Sequence, residues 1–122
     1  MTALIIFAVV YVTYGVILFF LQEQVIYYPF PQDFNDCTAF ADADKVTYNG
    51  TRMYVKDIDK PLAVLYHGNA GSACDRKLYA NIFSQAGHGY IIVEYAGYSN
   101  DTRKSSHELT KQDAENVISY LE

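Results

Sequence analysis

The residues best suited to chemistry are His67-Gly68-Asn69-Ala70-Gly71-Ser72, which directly follow the apolar run Leu62–Tyr66. Small residues after a buried strand let the backbone turn sharply and leave N–H groups facing open space. Such groups bind anions, either a phosphate or the oxyanion of a tetrahedral intermediate. The phosphate reading lacks its motifs, because neither G-x-G-x-x-G nor G-x-x-x-x-G-K-[ST] occurs in the chain. A small-anion binder built on Gly68–Gly71 stays open beside an oxyanion loop. Among possible nucleophiles, Ser99 lies in Gly97-Tyr98-Ser99-Asn100-Asp101, which imitates a nucleophile elbow but lacks its second glycine and leads into a polar stretch. Ser99 is read as a turn serine, and Ser72 as a helix cap. His67, His88 and His107 are 21 and 19 positions apart, a spacing that matches no short zinc pattern. No metal and no cofactor is expected. Glu94, at the end of a strand, is expected to orient a loop rather than to react. Cys74 follows the loop at the start of a helix and is read as packing, with an acidified thiol as the alternative. Cys37 and Cys74 are too few for a disulfide scaffold and form no C-x-x-C pair, so their redox state is open.

Five elements must position these groups. Lys45–Val55 reads as two alternating runs around Asn49-Gly50, a dipeptide that supplies the positive φ angles of a type I′ turn, and predicts a β-hairpin. Leu62–Tyr66 is expected to be a strand buried on both faces. A helix follows, capped by Ser72 with Asp75 near its positive end, burying the stripe Leu78, Tyr79, Ile82, Phe83 and Ala86 and ending at Gly87 and Gly89. Tyr90–Tyr95 reads as a second buried strand, parallel to the first. After the polar loop Ala96–Lys104, Ser105 and Glu108 form a capping box for a helix with the stripe Leu109, Ala114, Val117, Ile118 and Leu121. The fold class is therefore α/β, with a mostly parallel, doubly wound sheet.

Composition bounds the function. The chain has 122 residues and a net charge of −5, which argues against a nucleic-acid partner because phosphate neutralisation needs a basic face. No charged side chain occurs in Met1–Gln22, and Leu4–Leu21 is an apolar run of 18 residues, about 27 Å as a helix, close to the roughly 30 Å hydrocarbon core. Residues 1–22 read as a retained single-pass anchor with the lipid bilayer as partner. A cleavable signal would want a basic start and small residues near Gln22, and neither is present. The nearest Lys or Arg is Lys45, so the side of the membrane is unspecified. Residues 23–44 form an aromatic, acidic linker. Its Tyr27, Tyr28, Phe30 and Phe34 fit either a headgroup-level belt or aromatics packed on the domain.

The order span, hairpin, strand, His67-Gly68-Asn69-Ala70-Gly71, helix, strand, Glu94-Tyr95-Ala96-Gly97-Tyr98 resembles the N-terminal part of membrane-anchored serine hydrolases of the α/β-hydrolase superfamily. The resemblance runs from the span to Glu122. It implies that His67-Gly68 is the HG pair after the third strand, that the Asn69 backbone N–H is one oxyanion donor, and that Gly68, Ala70 and Gly71 support it. Glu94 and Gly97 would belong to the site loop after the fourth strand, where Ala96 stands in place of a common Arg. The implied activity is hydrolysis of a small-molecule acyl substrate: an ester, thioester or amide. The superfamily's G-x-S-x-G elbow, and the acid and histidine that follow it, are absent, since no two of the seven glycines are four apart. The expectation is thus an N-terminal portion of the domain at residues 45–122, a chain inactive alone, and residues 23–122 that are aggregation-prone or only partly folded by themselves. A non-enzymatic membrane-anchored α/β binding module is the rival reading.

Overall fold

The computed structural model describes residues 1–29 and 31–122. Its first element is α1, Thr2–Ile26, which has no buried residue and is long and apolar enough to cross a membrane. At 25 residues it is about 37 Å long, and it continues past the 1–22 segment through Glu23 to Ile26. A mixed four-stranded sheet follows, with β1 Asp44–Tyr48, β2 Thr51–Lys56, β3 Leu62–Tyr66 and β4 Gly89–Glu94 in the order β1-β2-β4-β3. Only β3 and β4 are parallel, whereas β1 with β2 and β2 with β4 are antiparallel. The four strands are therefore mixed, where a mostly parallel sheet was expected. Between β3 and β4 lie a 3-10 turn, Ala73–Arg76, and α2, Lys77–Gln85; α3, His107–Leu121, closes the chain.

Local chemistry explains the turns. Tyr48 pairs with Thr51 across Asn49 (φ 48°) and Gly50 (φ 86°), the left-handed pair that a two-residue hairpin requires. α2 ends in a Schellman motif: the His88 N–H donates to the Phe83 carbonyl and the Gly87 N–H to the Ser84 carbonyl, with Gly87 at φ 79°. Gly87 thus ends the helix as expected, but Gly89 opens β4. A Cβ at Gly89 would run into the Asp57 backbone.

Alternation along β4 divides the core in two. Tyr90 and Ile92 face Phe34, Phe40, Tyr54, Ala73 and Ala80, while Ile91 and Val93 face Met53, Val55 and Val117. The linker covers the first face. Phe34 and Phe40 stack on either side of the Tyr54 ring at 4.5 and 4.4 Å, and the Tyr54 hydroxyl donates to the Phe34 carbonyl. Phe34 therefore packs on the domain; Tyr27 is half-buried, Tyr28 is exposed, and Phe30 lies outside the described residues. Cys37 is disulfide-bonded to Cys74, fixing the linker to the start of the helical crossover. Neither cysteine is free, so the acidified-thiol alternative falls.

Three burial expectations are corrected. β3 is an edge strand, and Val64 at its centre is 38% exposed rather than buried on both faces. In α2 only Ala80 is buried; Leu78, Tyr79 and Ile82 are exposed, because the helix turns Ala80 and Phe83 toward the sheet. In α3 the inward face is Asp113, Asn116 and Val117, leaving Ile118 and Leu121 exposed. Polar side chains displaced the apolar stripe there because the Thr51 hydroxyl donates to Asp113 and the Asn116 amide donates to the Thr51 hydroxyl. The cap of α3 is also one residue later than expected. The Ser106 hydroxyl accepts the Leu109 N–H at 3.2 Å, and Ser105 instead donates to the Ala96 carbonyl.

Candidate functional site

The sharp loop after β3 places His67 beneath the loop and Gly68, Asn69 and Ala70 on its exposed crest. The His67 ring is fully buried between Tyr95 and Tyr98, with ring centroids 4.8 and 4.9 Å away. Its Nε2 lies 2.7 Å from Glu94 Oε1, and its Nδ1 lies 2.8 Å from the Gly68 carbonyl. Nε2 also faces the Tyr95 N–H at 3.5 Å, so the ring is held at both nitrogens. Glu94, whose side chain is fully buried, ends β4 and ties together three segments. At Oε2 it accepts the Ala73 N–H at 3.0 Å and the Ser99 hydroxyl at 2.6 Å. Oε1 lies against His67 Nε2 and has no hydrogen-bond donor of good geometry among the described residues.

The two sequence-flagged serines are committed elsewhere. Ser72 is buried, and both its N–H and its hydroxyl donate to Asp75 Oδ2, at 2.9 and 3.0 Å. Ser72 therefore stands at the N-cap of the 3-10 turn Ala73–Arg76, one turn ahead of α2, which itself starts behind Arg76. Ser99, also buried, donates to Glu94 from a left-handed backbone at φ 47°. Neither hydroxyl has His67 as its partner.

Asn69 is the hub of the crest. Its side-chain oxygen accepts the Tyr28 N–H (2.9 Å), the Ala70 N–H (2.9 Å) and the Tyr98 hydroxyl (2.6 Å), and its amide donates to the Ile26 carbonyl. The side chain thus joins the membrane-type helix, the loop and the segment after β4. Its own backbone N–H bonds to none of the described residues. Ala70, next in the chain, holds φ 55°, a conformation that favours glycine. Gly71 is buried, and a Cβ there would meet the Arg76 guanidinium.

The site loop after β4 is braced from two sides. The Ala96 N–H donates to Asp113 at 2.7 Å, and the Arg52 guanidinium donates to the Tyr98 and Ser99 carbonyls. Arg103 donates to both Asp101 and Asp113. Burial alone would raise the Asp101 carboxyl, but the Arg103 hydrogen bonds outweigh it and hold the group below its ordinary range. Gly97 sits at φ 82°, and a Cβ there would strike Ser105 and the Arg103 carbonyl. Arg52 and Arg103 thus hold the segment that follows Ala96 from both sides. Sequence reading missed this brace, Asp113, and the Glu94 junction; an acidic residue closing an otherwise apolar strand was the available signal.

A cleft of about 140 Å³ lies against the crest, lined by Ile26, Tyr27, Asn69, Tyr95, Tyr98 and Thr110. A second, of about 280 Å³, separates the end of α1 from the Gly97–Ser105 segment. Among the described residues no three His, Cys, Asp or Glu side chains gather as a metal site. His88 lies in the turn before β4, its Nδ1 3.1 Å from the Ala86 carbonyl, and His107 opens α3. No protein-family model matches the chain, and neither the characterised proteins nor the solved structures yield a match.

Proposed function

We propose that this chain supplies the oxyanion-loop side of a membrane-anchored serine hydrolase acting on an ester, thioester or amide. The observation that carries the reading is the Asn69 N–H, unpaired among the described residues on a crest held from beneath by the buried His67–Glu94 pair. A loop between a parallel strand and its crossover helix is where α/β-hydrolases place one oxyanion donor. Fixed donors of this kind act because they need no reorganisation as charge develops on the carbonyl oxygen. Here Glu94 fixes the loop by holding His67 and the Ala73 N–H at once. In this reading His67 and Glu94 are positioning residues, and Gly97 keeps the neighbouring loop close.

The nucleophile would come from a further strand on the free edge of β3, since Ser72 and Ser99 are both bound to carboxylates. α1 would anchor the unit, and the cleft beside Ile26 and Tyr27 would receive the acyl group at the bilayer boundary. Amide chemical shifts of the full chain in micelles test the donor. Adding methylphosphonate, an anion of oxyanion-like geometry, is expected to move the Asn69 amide and spare Ala70, whose N–H is already bonded to Asn69 Oδ1. A response centred away from Asn69, or labelling of Ser72 or Ser99 by a fluorophosphonate, would overturn the assignment. The small-anion binder uses the same N–H. It is favoured instead if inorganic phosphate moves Asn69 as far as the phosphonate does.

A further inference from the structure

We infer that residues 27–122 lie on the oxidising, lumenal or extracellular side of the membrane, and that Asn49 is an acceptor for N-linked sugar. Two independent features point the same way. The first is the Cys37–Cys74 disulfide, which joins the two buried cysteines of the chain. Structural disulfides persist in secretory and extracellular compartments and are reduced in the cytosol. Its formation removes two electrons and two protons from the thiols, which a disulfide-bearing oxidant of that compartment accepts.

The second feature is a pair of N-x-[ST] sequences, Asn49-Gly50-Thr51 and Asn100-Asp101-Thr102. Both asparagines are exposed and both sit in turns at positive φ, 48° and 56°. Asn49 is at the tip of the β1–β2 hairpin, where its side chain bonds to no described residue and only its carbonyl is used, by Asn116. A bulky substituent there displaces nothing. Thr51, by contrast, is fully buried against Asp113 and Asn116, so the sequence must be read on the nascent chain before the hairpin closes. In the transfer, the Asn49 amide nitrogen bonds to the anomeric carbon of a lipid-pyrophosphate-linked oligosaccharide. The carbon–oxygen bond to pyrophosphate breaks, the lipid pyrophosphate leaves, and the amide gives up one proton.

The charge rule is silent here, because no Lys or Arg precedes Lys45. The inference holds whether α1 stays in the bilayer or is removed, and it does not depend on the hydrolase reading. The test expresses the full chain in eukaryotic cells and treats it with an endoglycosidase specific for N-linked sugar. A downward mobility shift is expected in the unaltered chain and is lost in Asn49→Asp, a change that keeps a residue tolerant of positive φ. Maleimide labelling of the urea-denatured chain without reductant should find no free thiol. Absence of the shift, or two thiols that label in urea without reductant, overturns the proposal. A shift that survives Asn49→Asp and disappears with Asn100→Asp overturns Asn49 as the acceptor.

Discussion

Glu94 shows how one residue organises this molecule. Its carboxylate meets His67, the Ala73 N–H and the Ser99 hydroxyl from a fully buried position. Removing a buried acceptor leaves the donors that faced it unpaired, at a cost of about 1–3 kcal/mol each. Glu94→Ala is therefore expected to lower stability by that order, and Glu94→Gln, which keeps an acceptor oxygen, by less. Urea unfolding of the full chain in micelles checks this, and equal, small effects would mean that the junction is not structural. The sequence placed Glu94 in a loop-orienting role but did not pair it with His67, because the contact joins two loops brought together only by the parallel register of β3 and β4. The exposed turn at Asn69 was legible from the small residues around it. The role of the Asn69 side chain was not, since its partners Ile26, Tyr28 and Tyr98 are remote in sequence.

Elements were readable where their signals were local. The hairpin, both parallel strands and the end of α2 follow from Asn49-Gly50, two apolar runs and Gly87. Burial was less readable, because the helical stripes assumed a partner layer over every apolar residue. Leu78, Tyr79 and Ile82 have no such cover among the described residues, and α3 instead turns Asp113 and Asn116 toward Thr51. Two glycines at nearly the same φ separate backbone conformation from packing. Gly87→Ala meets nothing within 4 Å and should cost about 1–2 kcal/mol for its left-handed backbone alone. Gly97→Ala carries the same penalty plus a collision with Ser105 and the Arg103 carbonyl, so it should destabilise distinctly more. Thermal melts of the two variants decide this, and equal losses would show that the 97–105 loop yields freely.

For the whole molecule, the linker belongs to the core rather than outside it. The disulfide closes a separation of 37 positions, and on the chain-entropy scale a loop of that length is worth about 4 kcal/mol. Reduction should lower the urea midpoint accordingly; an unchanged midpoint would mean that the Phe34–Tyr54–Phe40 stack alone fixes the linker. The same core predicts behaviour in alkali. Burial, then the fields of Asp42 and Asp57, pushes the Tyr90 phenol up from 10.0 to about 12. Burial, then Glu94, also raises Tyr54 against the opposing field of Arg52. A phenol with a raised folded value favours the native state fully below its unfolded value and loses that contribution as pH rises through the folded one. Stability should therefore decline from about pH 10 to about pH 12. Ultraviolet tyrosinate titration with Tyr54 and Tyr90 variants checks this, and phenols there that ionise near the ordinary value of 10.0 would refute it.

The Asn69 clamp also fixes height. Because this side chain holds both the Ile26 carbonyl and the Tyr28 N–H, the end of α1 is tied directly to the loop crest. With that tie broken, the eleven positions from Ile26 to Cys37 could reach about 36–40 Å. With α1 in a bilayer, a change in hydrocarbon thickness alters helix tilt. The sheet must then lean with the helix or the clamp must open. Amide exchange at Ala70 should accordingly vary between short-chain and long-chain lipids while exchange at Ile91 does not, and identical Ala70 rates would show a slack joint. In a bilayer, the crest that carries Asn69 would thus be the first part of the globular unit to feel the thickness of the membrane around α1.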